Sequence, residues 1–131
     1  MIILGVADPA KFAPGADPRT SDDRIRDRER ATRIGQKARQ EAIERIPEIA
    51  DELRRRGLSV EVYPESVDAR AADDVVIIVT ASIDRDRPFA VMADRYHGEY
   101  ETDRLIPRKG VSFDGLLQLV DVFLAGFRAS R

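Results

Sequence analysis

The sequence predicts a three-layer α/β fold. A short, mostly parallel sheet of strand order 2-1-3, with an antiparallel fourth strand, is flanked by a long kinked helix and a C-terminal helix. Three observations lead there. Val75–Val79 reads VVIIV, a β-branched run suited to a central strand covered on both faces. Residues 21–53 carry apolar side chains at steps of three and four. The predicted order of the first elements is β-α-β-α-β, which implies right-handed crossovers and parallel neighbours.

The elements follow in chain order. Met1–Ala7 (MIILGVA) suits a strand buried on both faces, ended by Asp8-Pro9. The loop to Asp23 holds Pro9, Pro14, Gly15 and Pro18 and is longer than most connections. Ser21 or Asp22 can cap the long helix, and Asp23 and Asp27 favour its positive end. Its stripe runs through Ala31, Ile34, Ala38, Ala42, Ile46, Ile49 and Leu53. Pro47 removes a backbone donor, which predicts a kink near Ile43–Pro47 or two abutting helices. In LRRRGL, Gly57 suits the left-handed position of a Schellman motif, with Leu53 and Leu58 in contact across it. Arg54–Arg56 then lie at the negative end of the helix dipole, where arginines are expected for stability alone.

Ser59–Tyr63 alternates as a strand and Pro64 closes it. Ser66–Asp73 is read as a short helix. After Asp74–Ile83, the polar turn Asp84–Arg87 leads into an antiparallel strand at Pro88–Asp94. Tyr100 and Leu105–Ile106 suit an edge strand. Ser112 caps a final helix from Phe113 to about Ala129, apolar around more than half its circumference.

The 131 residues are expected to form one domain, 1–131, with a core that needs no disulfide. There is no Cys, so thiolate metal sites are excluded and a reducing compartment fits. The N-terminus lacks a basic signal-peptide flank, no stretch suits a membrane span, and a cytoplasmic protein is expected. Charged residues make up 35% of the chain, yet the net charge is only -2 with both signs interspersed. That argues against global attraction to nucleic acid through Arg24–Arg39 or Arg54–Arg56.

No motif ties a chemistry to particular residues. In an open parallel sheet a ligand would sit at the strand ends where strand order reverses. That would gather Asp8, Lys11 and Asp17 with Thr80, Ser82 and Asp84, near Asp22 and Asp23. Converging carboxylates there, Asp8 and Asp84 first, could hold Mg²⁺. The single His, His97, is the one candidate imidazole base, with Asp94 and Glu99 nearby. The loop has no G-x-G-x-x-G or P-loop pattern, and no G-x-S-x-G is present.

The layout of strand, Gly/Pro loop, long helix ending ELRRRGLSVEV, and a strand preceded by RAADD resembles the zinc-dependent N-acetylmuramoyl-L-alanine amidases over residues 1–82. The resemblance implies a His after the first strand, a Glu near the helix start and a His in the third strand. Those places hold Asp8, Glu29 and Thr80 or Ala81, so zinc chemistry is not expected.

Three functions remain as expectations. The first is a non-catalytic assembly or binding module that self-associates, or meets a protein partner, through Leu116, Leu119, Val120, Phe123 and Phe127. It needs no cofactor. The second is a small metal-assisted hydrolase or nucleotide-processing enzyme using strand-end carboxylates. Nucleic-acid binding through the Arg-rich helix is third.

Overall fold

The computed structural model describes residues 20–130. The chain divides into two compact units, Met1–Arg33 and Ile34–Arg131. In the first, helix α1 (Ser21–Glu44) begins at a reciprocal cap. Asp23 N–H donates to Thr20 Oγ1 at 3.2 Å, and Thr20 N–H donates to Asp23 Oδ2 at 3.4 Å. The cap is thus one residue earlier than Ser21.

The second unit holds the rest of α1, then α2 (Ile46–Arg55), strands β1 (Ser59–Val62), β2 (Ser66–Ala72), β3 (Val75–Ala81), β4 (Phe89–Tyr96) and β5 (Thr102–Val111), and helix α3 (Phe113–Ala129). Arg45 separates α1 from α2, and Pro47 lies in the first turn of α2, where its missing N–H costs nothing. These are the two abutting helices that Pro47 predicts. The Schellman end is also present. Gly57 has φ 84°, its N–H donates to Arg54 O at 2.9 Å, and Leu58 N–H donates to Leu53 O at 3.3 Å. Ser112 caps α3, accepting from Gly115 N–H at 3.0 Å.

The sheet corrects the predicted fold class. Its order is β1-β2-β3-β4-β5, and every neighbouring pair is antiparallel. Neither the mostly parallel sheet nor its 2-1-3 order describes these five strands. The error lies in residues 66–72, read as a helix but folded as β2. Val67 and Ala69 point into the core while Asp68 is half-buried and Arg70 exposed, which is strand periodicity. Without that helix no crossover joins the five described strands. The links between β1 and β2 and between β2 and β3 are far shorter than the dozen or so residues a parallel return needs. The strand expected at Met1–Ala7 and the loop to Arg19 lie outside the described residues.

The hairpin across Asp84–Arg87 is present, with Ile77 opposite Ala93, Val79 opposite Val91 and Ala81 opposite Phe89. These positions share one sheet face with Val67, Ala69, Ile106 and Val111. The apolar sides of α2 (Ile46, Ile49, Leu53) and α3 (Leu116, Val120, Leu124) close the core on that face. Helix α2 lies against β1 and β2, and α3 against β4 and β5. At the edge of the described sheet the long strand β5 carries Pro107, Arg108 and Lys109, residues that discourage pairing with a further strand. Among the described residues, no helix is long and apolar enough to cross a membrane.

Candidate functional site

The carboxylate site expected at the strand ends does not assemble from the described residues. Asp8, Lys11 and Asp17 lie outside them. Asp84 is exposed and organises its own turn, its Oδ1 accepting from Asp86 N–H at 2.9 Å and Arg87 N–H at 3.3 Å. His97 follows β4, its Nε2 2.6 Å from Asp103 Oδ2 in the β4–β5 hairpin. Asp84 precedes the eight-residue strand β4 and His97 follows it, so about 25 Å of strand separates them. Thr80 is half-buried on the sheet face away from the helices, and Asp94 is paired with Arg104. Among the described residues, no three His, Asp or Glu side chains come close enough to share a metal ion.

The three arginines ending α2 are engaged in pairs. Arg54 meets Asp51 at 3.2 Å and Arg55 meets Glu52 at 2.7 Å. Arg56 donates to the Glu52 carbonyl at 2.8 Å and carboxylate at 3.0 Å, and reaches across to Asp121 on α3 at 2.7 Å. Arg128 Nη2 returns the link by donating to Arg56 O at 2.6 Å. The hydrogen bond to Asp121 raises the Arg56 pKa and lowers that of Asp121. The cluster ties the two helices over the sheet.

On the β1–β2 ribbon two carboxylates face each other, Glu61 opposite Asp68. Tyr63 Oη donates to Glu61 Oε2 at 2.9 Å, and this bond holds the phenol pKa above its usual value. Burial, and then the Glu61 charge, push the Asp68 carboxyl above the ordinary carboxylate range, with Arg70 opposing. The folded state therefore binds the Asp68 proton more tightly than the unfolded chain does. Stability from this group is complete below the unfolded value of about 4 and is lost as pH rises through the raised folded value. Asp68→Asn removes that loss. Its melting temperature should exceed wild type at pH 7 by about 1–2 °C, a few tenths of a kcal/mol after solvent screening. It should match wild type near pH 3. Equal melting temperatures at both pH values would show that the facing charges do not repel appreciably.

Helix α3 presents two different sides. Of the residues expected at an interface, Leu116 and Val120 have no exposed surface and belong to the chain's own core. Leu119, Phe123 and Phe127 are half-buried, and the Phe123 and Phe127 rings stack at 5.7 Å. The outward side is centred on Val122, which is 71% exposed. Helical geometry groups Gly115, Gln118, Leu119, Ala125 and Gly126 around it. None of these is charged, in a chain whose other exposed helix positions are mostly Arg, Glu and Asp. A shallow groove of about 420 Å³ runs beside Val122 to Lys109, Val111 and Ser112 on the sheet edge. A Cβ at Gly126 would meet nothing within 4 Å, so no neighbour within the fold requires glycine there. Glycine inside a helix costs about 1 kcal/mol relative to alanine. Sequence reading picked out the apolar residues of this helix. The missed signal was the absence of charge on its solvent side.

Comparison with protein-family models, curated proteins and solved structures finds no match.

Proposed function

We propose that the chain is a non-catalytic, cytoplasmic assembly module that pairs with a second copy of itself through the outward side of α3. The observation that carries this reading is the uncharged, solvent-facing surface around Val122. A face without charge offers nothing to a strongly charged partner, but two copies of it are complementary under two-fold symmetry. Small residues at Gly115, Ala125 and Gly126 let two such helices approach closely. The net charge of -2 sets little repulsion between copies.

The size of the face sets the strength. A 17-residue helix is about 25 Å long, and one side of it buries roughly 300 Å² per partner, against about 800 Å² in stable complexes. The dimer is therefore expected to be weak, in the micromolar range or above. Sedimentation equilibrium from 10 to 500 µM should show a rising mass, and Val122→Glu should weaken association at least tenfold. Unchanged circular dichroism would show that the variant still folds. A chain monomeric throughout this range, or a Val122→Glu variant that associates like wild type, rules the proposal out.

A further inference from the structure

A second surface, apart from α3, has the features of a ligand site. The last turns of α1 and the β3–β4 turn enclose a half-open cleft of about 480 Å³, within the range of small-molecule pockets. Lys37, Glu41 and Arg45 stand one helical turn apart along one wall, and Arg85 projects from the other. Apolar surface between them comes from Pro88, over a floor closed by the buried Ala38 and Ala42.

The cationic groups are held in place by features of the fold. The Arg45 guanidinium lies 3.9 Å from the centre of the Phe113 ring and is steadied by Glu48 at 3.2 Å. The turn bearing Arg85 is pinned at both ends. Ser82 N–H donates to Pro88 O at 2.8 Å, and Asp84 Oδ1 gathers the N–H groups of Asp86 and Arg87. Neither Lys37 nor Arg85 has an ion-pair partner among the described residues. With Arg45 paired to Glu48, Lys37 and Arg85 against Glu41 leave the cleft a surplus of one positive charge in a chain that is slightly acidic overall.

We infer that this cleft binds a small organic phosphate. Its anionic group sits among Lys37, Arg45 and Arg85, and its apolar body rests on Pro88 and the methylene stems of the long side chains. An arginine fork and a lysine point charge both suit phosphate oxygens. Glu41 lies between two of the cations, where it can accept a hydrogen bond from a hydroxyl or amine on the ligand body.

Phenyl phosphate is the simplest probe with both parts, and amide chemical-shift titration of the full chain at low, constant ionic strength reads its binding. Saturable shifts are expected at residues 37–45 and 85–88. Lys37→Gln and Arg85→Gln should each weaken binding about fivefold, whereas Arg95→Gln, which removes the same charge at the far end of β4, should leave it unchanged. Lys37 and Arg85 are exposed and Arg95 is half-buried beside Asp74, so unchanged circular dichroism of each variant should confirm that it folds. Inorganic phosphate should bind at least threefold more weakly than phenyl phosphate. Non-saturating shifts, or equal losses in Arg85→Gln and Arg95→Gln, overturn the site. Equal binding of the two probes overturns the apolar seat.

Discussion

Phe89→Ala should destabilise the protein by about 3–5 kcal/mol, the range for emptying a phenylalanine site in a core that relaxes only in part. Phe89 has no exposed surface and opens β4 between Ala81 of β3 and Val111 of β5. Its ring meets Phe113, the first residue of α3, edge to face at 6.4 Å, and Arg45 covers Phe113 at 3.9 Å. One side chain thus ties the central hairpin to the start of α3 and, through Phe113, to the junction of α1 and α2. Its loss removes apolar contact and an aromatic pair together. Urea unfolding should show a midpoint lower by about 2 M for a domain of this size. Tyr100→Ala, on a ring 90% exposed, should shift stability by less than about 0.5 kcal/mol. A cost below about 1.5 kcal/mol for Phe89→Ala would show that the surrounding side chains close over the gap and that the ring is no keystone.

The helices around this core were legible because their signals are local. Pro47 can continue a helix only from its first turn, and Gly57 with Leu53 and Leu58 specifies a C-terminal motif whose contacts all lie within six residues. Ser112 is read as a cap in the same way. The sheet was legible only in part. VVIIV marks a buried strand correctly, with Val75, Ile77 and Val79 fully buried, but a run buried on both faces does not distinguish parallel from antiparallel neighbours. That choice hung on residues 66–72. SVDARAA is rich in Ala, Arg and Asp, residues seldom chosen for strands, and its inward positions include the smallest apolar side chain. Pairing with β1 and β3 on both sides overrides that local preference. A single wrong element then reversed the topology.

The candidate sites were less legible than the fold. The predicted pocket depended on parallel strand ends, and the described strands are antiparallel and do not assemble it. The outward side of α3 is marked by missing charges, and the apolar residues that drew attention, Leu116 and Val120, are those the fold buries. The cationic cleft joins Lys37 to Arg85, 48 positions apart, and only the seating of α1 beside the β3–β4 turn brings them together. No spacing rule reaches that far without the topology.

Arg104→Ala should cost more than Asp94→Ala, although both remove the same ion pair. Asp94 on β4 is 6% exposed, while the Arg104 side chain opposite it on β5 is about half exposed, and Arg104 Nε donates to Asp94 Oδ1. When Asp94 is removed, the guanidinium is free to turn into water. Loss of Arg104 instead strands a carboxylate in a site with little water, and such uncompensated burial costs about 2–3 kcal/mol in partly shielded positions. Asp94→Ala should cost about 1 kcal/mol or less. The double variant should be more stable than Arg104→Ala alone by at least about 1 kcal/mol, because the stranded charge is gone. Four urea curves at pH 7 complete the cycle. An ordinary surface pair predicts something different: two small, similar costs and a coupling below about 1 kcal/mol. That symmetric outcome would mean water reaches Asp94 once Arg104 is cut back. The charge in the β4–β5 ladder would then be tolerated because the edge strand opens, and not because its partner neutralises it.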